Sequence, residues 1–369
     1  MTEFSRIPFN DLSRVPTALS ADLASVIASV IESGWFVLGP HHSAFETEFA
    51  AYLGAREAVA VANGTDALEL ALAAVGVGPG DFVVTVANAG AYTSVATRLL
   101  GGVSVYCDID PTTLLMSAET FETAIAGLPV APKAVVVTHL YGALAPTPRI
   151  AAVAARHGIR VIEDCAQSVG ARDGERMGGL AGDIATTSFY PTKNLGALGD
   201  GGAVFTDDAG LAEAVRQMRQ YGWTAKYRIG RAHGRNSRMD ELQAAILRVK
   251  LPMLDDANER RRAIHSVYES AAPTGARLVN SSSPAFTAHL AVLTTERRAA
   301  AREVFDAAGI GTDVHYPIAD HRQAFPDFTP LPADLPVTEW AVESVLSIPL
   351  FPELTDDEVA RVRDAIDGL

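Results

Sequence analysis

Short apolar runs alternate with helical patterns along the middle of the chain, from residue 57 to about residue 206. Patterns with helical spacing lie between several of the runs, for example at 65–75 and 147–157. This alternation predicts an α/β fold with a mostly parallel central sheet, helices on both of its faces and functional residues at the carboxyl ends of the strands. Thr138, Asp164 and the loop after Val86 are expected at that edge. The runs that we predict to be strands are 57–61, 82–86, 103–107, 133–137, 159–163, 184–189 and 202–206.

Two helices are predicted ahead of the sheet. Residues 20–33 end at Gly34 and residues 43–53 end at Gly54, and both glycines stand where a helix commonly stops. The second helix is predicted to open with a capping box in which Ser43 is followed by Glu46. Its apolar face would bury Phe45, Phe49, Tyr52 and Leu53.

The pattern changes after the sheet, and we place a domain boundary near residue 250. A helix is predicted at 238–251, and Pro252 allows a long charged helix to start at 253–270. The last helix should open at Thr355, which is followed by Glu358 in a second capping box. The sequence therefore predicts a large α/β domain at 1–250 and a small α+β domain at 251–369.

Composition narrows the class of protein. The 369 residues are 48% hydrophobic and 20% charged, as in ordinary globular enzymes. The formal net charge of −14 argues against a nucleic-acid partner. Two cysteines fit a reducing compartment, and neither a secretory signal nor a membrane-spanning apolar run is visible, so we expect a cytoplasmic protein. No metal site is predicted.

Asp164 and Lys193 are the residues that carry chemistry. Asp164 ends a predicted buried strand, and Lys193 lies 29 residues later in a glycine-dense turn after another strand. An apolar surrounding favours the neutral amine, which attacks aldehydes, and a carboxylate keeps a heteroaromatic nitrogen protonated. Pyridoxal phosphate requires both groups. A surface lysine in a turn, and an aspartate that caps a helix or pairs with an arginine, are the structural alternatives.

A phosphate site is predicted where Asn63, Gly64 and Thr65 precede an apolar helix. Free backbone N–H groups, a hydroxyl and close approach at a glycine suit an anion. A plain helix cap explains the same triplet. Ser188 would add a second hydroxyl, and the side chain of Gln167 would reach the phenolic oxygen of the cofactor. Tyr92 would stack on the ring, or else belong to the core.

From Trp35 to about Lys250, and more weakly beyond, the chain resembles the DegT/DnrJ/EryC1/StrS family. These are fold-type-I, pyridoxal-phosphate-dependent aminotransferases that act on nucleotide-linked keto-sugars. The stretches that carry the resemblance occur in the family's order: SGWFVLGP, SAFETEFAAYLG, NGTDALELAL, GPGDFVV, HLYG, IEDCAQSVGA, SFYPTKNLGALGDGG, GRNSRMDELQAAIL and VHYP.

The resemblance implies a role for each matching residue. Lys193 matches the Schiff-base lysine, Asp164 the partner of the pyridine nitrogen and Gln167 the contact of the phenolic oxygen. The phosphate contacts are implied at Gly64, Thr65 and Ser188, and the stacking aromatic at Tyr92. Residues implied near the substrate are Trp35, Phe36, Tyr221, His315 and Tyr316.

Asn236 matches an asparagine that reaches the phosphate of the neighbouring subunit's cofactor in the family. This implies a homodimer with shared active sites. The structural alternative is that Asn236 or Ser237 caps a helix beginning near Arg238. The chain departs from the family pattern at Asn63, where a serine is usual, and at Gly90-Ala91-Tyr92, where a Thr-Phe or Thr-Tyr pair is usual.

The activity implied is transfer of an amino group to a nucleotide-linked keto-deoxysugar, with a dTDP-linked sugar, position C3 and L-glutamate as donor favoured. Transamination at C4 stays open. The family's dehydratase branch has a histidine where Lys193 stands, so that branch is disfavoured. A pyridoxal-phosphate sensor joined to a transcription regulator would need a basic DNA-binding segment, which the acidic chain does not show.

Overall fold

A computed structural model describes residues 6–14, 17–273, 275–325, 331 and 333–369. The α-helices are α1 (Thr17–Ser33), α2 (Pro40–Leu53), α3 (Gly64–Ala74), α4 (Tyr92–Leu99), α5 (Ala118–Ile125), α6 (Thr147–His157), α7 (Ala209–Met218), α8 (Glu241–Lys250), α9 (Leu254–Glu269), α10 (Arg298–Ala307), α11 (Pro336–Ser344) and α12 (Asp356–Asp367). Short 3-10 helices cover Leu140–Gly142, Leu251–Met253 and Asp320–Arg322.

The strands confirm the predicted pattern, since every predicted strand is present within one residue of its expected bounds. They are β1 (Glu57–Val61), β2 (Phe82–Val86), β3 (Val103–Cys107), β4 (Ala134–Thr138), β5 (Arg160–Asp164), β6 (Arg172–Asp173), β7 (Arg176–Met177), β8 (Ile184–Ser188), β9 (Gly202–Thr206), β10 (Trp223–Ala225), β11 (Arg228–Ile229), β12 (Arg277–Leu278), β13 (Ala291–Thr294) and β14 (Val345–Ile348).

A seven-stranded central sheet has the order β1-β9-β8-β5-β4-β2-β3. The strands from β8 to β3 are parallel to one another, and only β9 pairs antiparallel with its neighbours β8 and β1. The carboxyl ends of β2, β4, β5 and β8 therefore meet at one edge. The mostly parallel α/β fold is confirmed. A second, antiparallel sheet of β12, β13 and β14 belongs to the carboxyl-terminal region.

An aromatic cluster fixes the end of β8, which leads to Lys193. The ring of Phe189 is fully buried and packs edge-on against Phe45 at 5.4 Å and Phe49 at 5.3 Å between centroids. Edge-on pairs stabilise beyond their buried area. The chain consequently leaves the sheet at a defined point before it enters the lysine turn.

The predicted capping box at Ser43 is wrong. Helix α2 begins three residues earlier, at Pro40, whose missing N–H is tolerated in the first turn. The Glu46 carboxylate instead accepts the Ala60 N–H at 2.7 Å and pairs with Arg219. Glu241 accepts N–H groups at the start of α2, from Gly39 and from His42. The prediction at Thr355 is confirmed, since its side chain and Glu358 form a capping box at α12.

Helix α8 begins at Glu241, later than predicted, and its N-cap is Asp240. Neither Asn236 nor Ser237 therefore caps it. The helix ends at Lys250, and the 3-10 turn with Pro252 leads into α9. The division into two domains near residue 250 stays a prediction. Among the described helices, none is both long and apolar enough to cross a membrane.

Candidate active site

Asp164 lies at the carboxyl end of β5, between Thr138 on β4 and Thr186 on β8. Its side chain is 8% exposed, and Oδ1 accepts the Ala166 N–H at 3.0 Å. Burial raises the pKa of this carboxyl, and the Ala166 hydrogen bond and the charge of Lys193 oppose that rise. The carboxyl of Asp164 is therefore held in place at the sheet edge, and it interacts electrostatically with the charge of Lys193.

Lys193 lies in a tight turn after β8. Its own N–H donates to the Tyr190 carbonyl at 2.8 Å, and the Ala197 N–H returns to the Phe189 carbonyl at 2.8 Å. Desolvation lowers the pKa of the Lys193 amine to about 8, while the charge of Asp164 acts in the opposite direction. A substantial fraction of the amine is therefore neutral near pH 8, the form in which it is a nucleophile.

The start of α3 faces the end of β8. The Asn63 side chain caps the helix by accepting the Asp66 N–H at 2.8 Å. A methyl group at Gly64 would lie 2.7 Å from Cβ of Ser188, so the two backbones approach closely only because residue 64 is glycine. The first N–H groups of a helix have no partner within it, and here they lie beside the Ser188 hydroxyl. This arrangement suits a bound anion.

Gln167 joins the same edge to the carboxyl-terminal region. Its Oε1 accepts the Tyr141 N–H, and its Nε2 donates to the Tyr316 hydroxyl at 3.4 Å. The ring of Tyr316 packs edge-on against Tyr92, with 6.2 Å between centroids. Tyr92 is the first residue of α4 and is 50% exposed, so the alternative that it belongs to the core is wrong.

Two histidines, His289 and His315, lie near the lysine turn. The His289 Nδ1 lies 2.7 Å from Oδ1 of Asn194, the residue after Lys193. Burial and then the charge of Lys193 hold the pKa of His289 well below its usual value. Burial also lowers the pKa of His315, against the charge of Asp313. The sequence had pointed to His315, whereas His289 was missed because no motif surrounds it.

A His–Glu pair behind Asp164 was also missed. Nε2 of His139 lies 3.0 Å from Oε2 of Glu163, and both side chains are buried. Burial alone would raise the pKa of Glu163, but the hydrogen bond and charge of His139, with the N–H groups of Gly182 and Ala181, lower it to about 2. The available signal was strand alternation, which turns Glu163 to the face opposite Asp164.

A cavity of about 530 Å³ borders the lysine turn. Its walls include Lys193, Asn194 and, from α9, the buried Arg261, whose pKa desolvation lowers to about 10. Asp164, Ser188 and Gly64 do not line this cavity, so it meets the predicted site only at the lysine turn. Within the described ranges, no group of three His, Cys, Asp or Glu residues is arranged to hold a metal ion.

Comparison with known proteins identifies the family of this chain. The family model described as the DegT/DnrJ/EryC1/StrS aminotransferase family matches residues 18–367. The chain belongs to this family. It is a pyridoxal-phosphate-dependent aminotransferase with the fold-type-I architecture, as the resemblance implied.

Three similar proteins illustrate the family. The dTDP-3-amino-3,4,6-trideoxy-alpha-D-glucose transaminase of Streptomyces venezuelae is 40% identical over 375 residues, covering 99% of this chain and 96% of its own. The UDP-N-acetyl-3-dehydro-alpha-D-glucosamine 3-aminotransferase of Acidithiobacillus ferrooxidans is 37% identical over 369 residues, covering 99% and 98%. The crystal structure of NtdA from Bacillus subtilis with bound cofactor PMP has 32% identity and a TM-score of 0.91, covering 99% of this chain and 85% of that one.

The residues at the sheet edge of this family member fit pyridoxal phosphate. Gly64 leaves the space between α3 and Ser188 that an added Cβ would fill, and helix N–H groups with a hydroxyl are phosphate donors. The cofactor's other end would meet the carboxylate of Asp164 and the amine of Lys193.

Gly64→Ala is expected to weaken pyridoxal phosphate binding by at least about ten-fold, because the methyl group closes this space and displaces a hydrogen bond to a charged group. Equilibrium dialysis measures the dissociation constant. The control is Gly127→Ala, since nothing lies within 4 Å of a Cβ there. Equal affinities of the two variants would contradict the placement of the phosphate.

Three of the residues implied near the substrate, Trp35, Phe36 and Tyr221, lie on the surface of this aminotransferase. Trp35 and Phe36 are 53% and 54% exposed, and the Phe36 carbonyl accepts the Glu241 N–H at 3.0 Å. The ring of Tyr221 lies 5.3 Å from Trp223. Within the described residues, none of these three side chains forms a hydrogen bond or ring contact with Asp164 or Lys193.

Asn236 is exposed and pairs across a bridge with Gln220. The neighbouring Ser237 is buried, and its hydroxyl accepts the Ala62 N–H at 3.2 Å. Arg235 pairs with Glu69 on α3. This segment is therefore anchored beside the start of α3, with the Asn236 side chain left accessible.

Proposed function

We propose that this aminotransferase moves an amino group from L-glutamate to the C3 keto group of a dTDP-linked deoxysugar. The observation that carries the proposal is the pairing of the buried Asp164 carboxyl with the half-buried, partly neutral amine of Lys193, whose charges act on each other. Amination at C3 is supported by the names of both curated relatives, which act at position 3. The dTDP group is supported by the first of them.

Each residue at the edge has a proposed task. The amine of Lys193 would hold the cofactor through its aldehyde and, when free, would move a proton between the substrate carbon that bears the nitrogen and the C4′ carbon of the cofactor. Asp164 keeps the ring nitrogen protonated. The phosphate is held by Gly64, Thr65 and Ser188. Bound pyridoxal phosphate supplies an aldehyde that carries the amino group and a ring that withdraws electrons from the reacting carbon.

The remaining residues orient the cofactor and the substrate. Tyr92 stacks on the ring, and Gln167 donates to the phenolic oxygen with the N–H that does not face Tyr316. His315 and Tyr316 line the sugar pocket beside the lysine turn, together with the surface aromatics Trp35, Phe36 and Tyr221.

Incubation with a panel of dTDP- and UDP-linked 3-keto and 4-keto sugars, with ¹⁵N-labelled L-glutamate, tests the proposal by mass spectrometry. We expect labelled nitrogen in the dTDP-linked 3-keto sugar. Nitrogen only in 4-keto sugars would move the reaction to C4, and loss of oxygen without gain of nitrogen would reveal a dehydratase. If no sugar in the panel is turned over, the proposal that the substrate is a nucleotide-linked keto-sugar is overturned.

Asn236 is proposed to reach the phosphate of the partner subunit's cofactor in a homodimer. Its exposed side chain on an anchored segment, close to the start of α3, supports this proposal. Both subunits would then contribute to each active site.

Mixed dimers of Lys193→Ala and Asn236→Ala subunits are expected to regain activity. If sites are shared, one of the two sites in a mixed dimer is built only from unmutated residues, and a random mixture recovers about a quarter of the wild-type turnover. The assay uses limiting pyridoxal phosphate, where each variant alone is weak. If Asn236 serves its own subunit, no mixed dimer contains an intact site, and absent recovery would contradict sharing.

A further inference from the structure

Asp320 is a buried carboxylate that the reaction described above does not use. It is 1% exposed and lies on the 3-10 helix Asp320–Arg322. Oδ1 accepts the Ala91 N–H at 2.8 Å, and Oδ2 accepts the Ser94 hydroxyl at 3.2 Å. Its backbone N–H donates to the Ala87 carbonyl at 2.7 Å. All three bonds go to the segment between β2 and the first turn of α4.

That segment has a conformation that needs external support. Ala91 is the N-cap of α4 and has a φ of 64°, a left-handed conformation that a residue with a Cβ rarely adopts. Ala91 also has no side-chain oxygen with which to cap the helix itself. The Asp320 carboxylate, 229 residues further along the chain, instead holds this helix start by accepting the Ala91 N–H and the Ser94 hydroxyl.

The same turn sets the position of two aromatic rings. A Cβ at Gly90 would lie 2.9 Å from the ring of Tyr316 and 3.0 Å from that of Tyr92. Tyr316 precedes Asp320 by four residues, so the carboxyl-terminal region contacts the turn twice. A shift of the turn would therefore displace the ring of Tyr92 relative to Tyr316.

We propose that Asp320 is a positioning residue for the cofactor: its carboxylate fixes the Gly90–Tyr92 turn and thereby presents the ring of Tyr92 to the pyridine. The inference rests on the proposed function, in which Tyr92 stacks on the cofactor. Asp320 itself touches neither cofactor nor substrate in this account.

The negative charge of Asp320 contributes to holding the Gly90–Tyr92 turn. Among the described residues no cation pairs with it, and its negative charge lies at a helix N-terminus, where it is favourable. Burial raises its pKa to about 7, against the bonds from Ala91 and Ser94. The titratable and charged groups around it are Tyr106 on β3, Arg98 on α4, His321 and Arg322 beside it, and Glu339 on α11.

The sign of the pH effect differs between binding and stability. Protonation as pH falls through 7 removes the charge that holds the turn, so cofactor affinity should fall. Because the folded pKa is above the unfolded one, the folded protein binds more protons between about pH 4 and 7, and this group's contribution to stability decreases as pH rises through that window. A carboxylate with only a structural role would change the pH dependence of stability and leave that of cofactor affinity unchanged.

The test compares Asp320→Ala, Asp320→Asn, Tyr92→Ala and the double variant Asp320→Ala/Tyr92→Ala at pH 8. Dissociation constants for pyridoxal phosphate are measured by dialysis, and apo-protein melting checks folding. We expect alanine at 320 to weaken binding about ten-fold. Asparagine should weaken it by no more than about three-fold, because its Oδ1 can still accept the Ala91 N–H and its Nδ2 can donate to the Ser94 hydroxyl. The matched control is Asp208→Ala, which removes a side-chain cap from α7.

The double variant decides whether Asp320 acts through Tyr92. We expect the double variant to bind pyridoxal phosphate no more than about two-fold more weakly than Tyr92→Ala alone. If Asp320 acts only through Tyr92, the effects of the two substitutions on binding are not additive. A further ten-fold loss in the double variant, or wild-type affinity in Asp320→Ala, would overturn the inference. If Tyr92→Ala binds the cofactor normally while Lys193→Ala loses its covalent link, the inference about Asp320 fails but the proposed function stands.

Asp320→Asn carries the test if the alanine variant does not fold. The wild-type dissociation constant should rise between pH 8 and pH 6 with a component centred near 7, and that component should be absent from the asparagine variant. The variant should also melt at a higher temperature than wild type at pH 8, where the wild-type carboxylate is buried with its charge. An unchanged pH profile in the variant would contradict the role of Asp320.

Discussion

Lys193→Ala should abolish the absorbance band of the covalently bound cofactor and reduce turnover by at least about 10³-fold, since one side chain provides both the covalent link and the proton transfer. The structure supports the choice of this lysine because desolvation lowers the pKa of its amine to about 8, against the charge of Asp164. Absorbance spectroscopy and steady-state assays measure the two losses separately.

A matched control and a rescue sharpen this result. Lys133→Ala removes an exposed lysine outside the sheet edge and should leave both spectrum and turnover unchanged. Adding a small primary amine to Lys193→Ala should restore part of the turnover, because the lost group is a base in a space that the amine can occupy. A Lys193→Ala protein that keeps the band and the activity would refute the assignment.

Asp164→Asn should reduce turnover by about 10²–10³-fold, the effect of removing one preorganised charge from an active site. The amide has almost the same shape, and the Ala166 N–H retains an acceptor oxygen at residue 164. The loss therefore reports the negative charge opposite the ring nitrogen rather than packing. Asp164→Glu keeps the charge and should retain more activity than the asparagine variant.

The same substitution has a signed effect on Lys193. The charge of Asp164 raises the pKa of the amine, against the larger effect of desolvation. The midpoint for covalent capture of pyridoxal phosphate, near pH 8 in the wild type, should therefore move to lower pH in Asp164→Asn. A midpoint that stays in place, together with turnover within a few-fold of wild type, would show that the two groups do not act on each other.

The main sheet was predictable because its signal is local. Each buried strand is a short apolar run, and parallel strands bring their carboxyl ends to one edge. The proximity of Asp164, Ser188 and Lys193 follows from that rule alone. The contacts that were not predicted have the opposite character, since they join segments that are far apart in the chain.

Glu241 and Asp320 show why the rest was not predictable. Each carboxylate accepts the N–H of a helix N-cap residue, Gly39 or Ala91, that lies 202 or 229 residues earlier in the chain. No local pattern encodes such a contact. The error at Ser43 has the same origin, because the Glu46 carboxylate finds Arg219 in a distant segment instead of capping its own helix.

The chain has four lysines, Lys133, Lys193, Lys226 and Lys250, so the site of covalent attachment can be assigned without ambiguity. Reduction of the cofactor-loaded protein with borohydride, followed by digestion and mass spectrometry, fixes the linkage irreversibly. We expect the pyridoxyl group on Lys193 alone. A label on any of the other three lysines, or none on Lys193, would contradict the central claim.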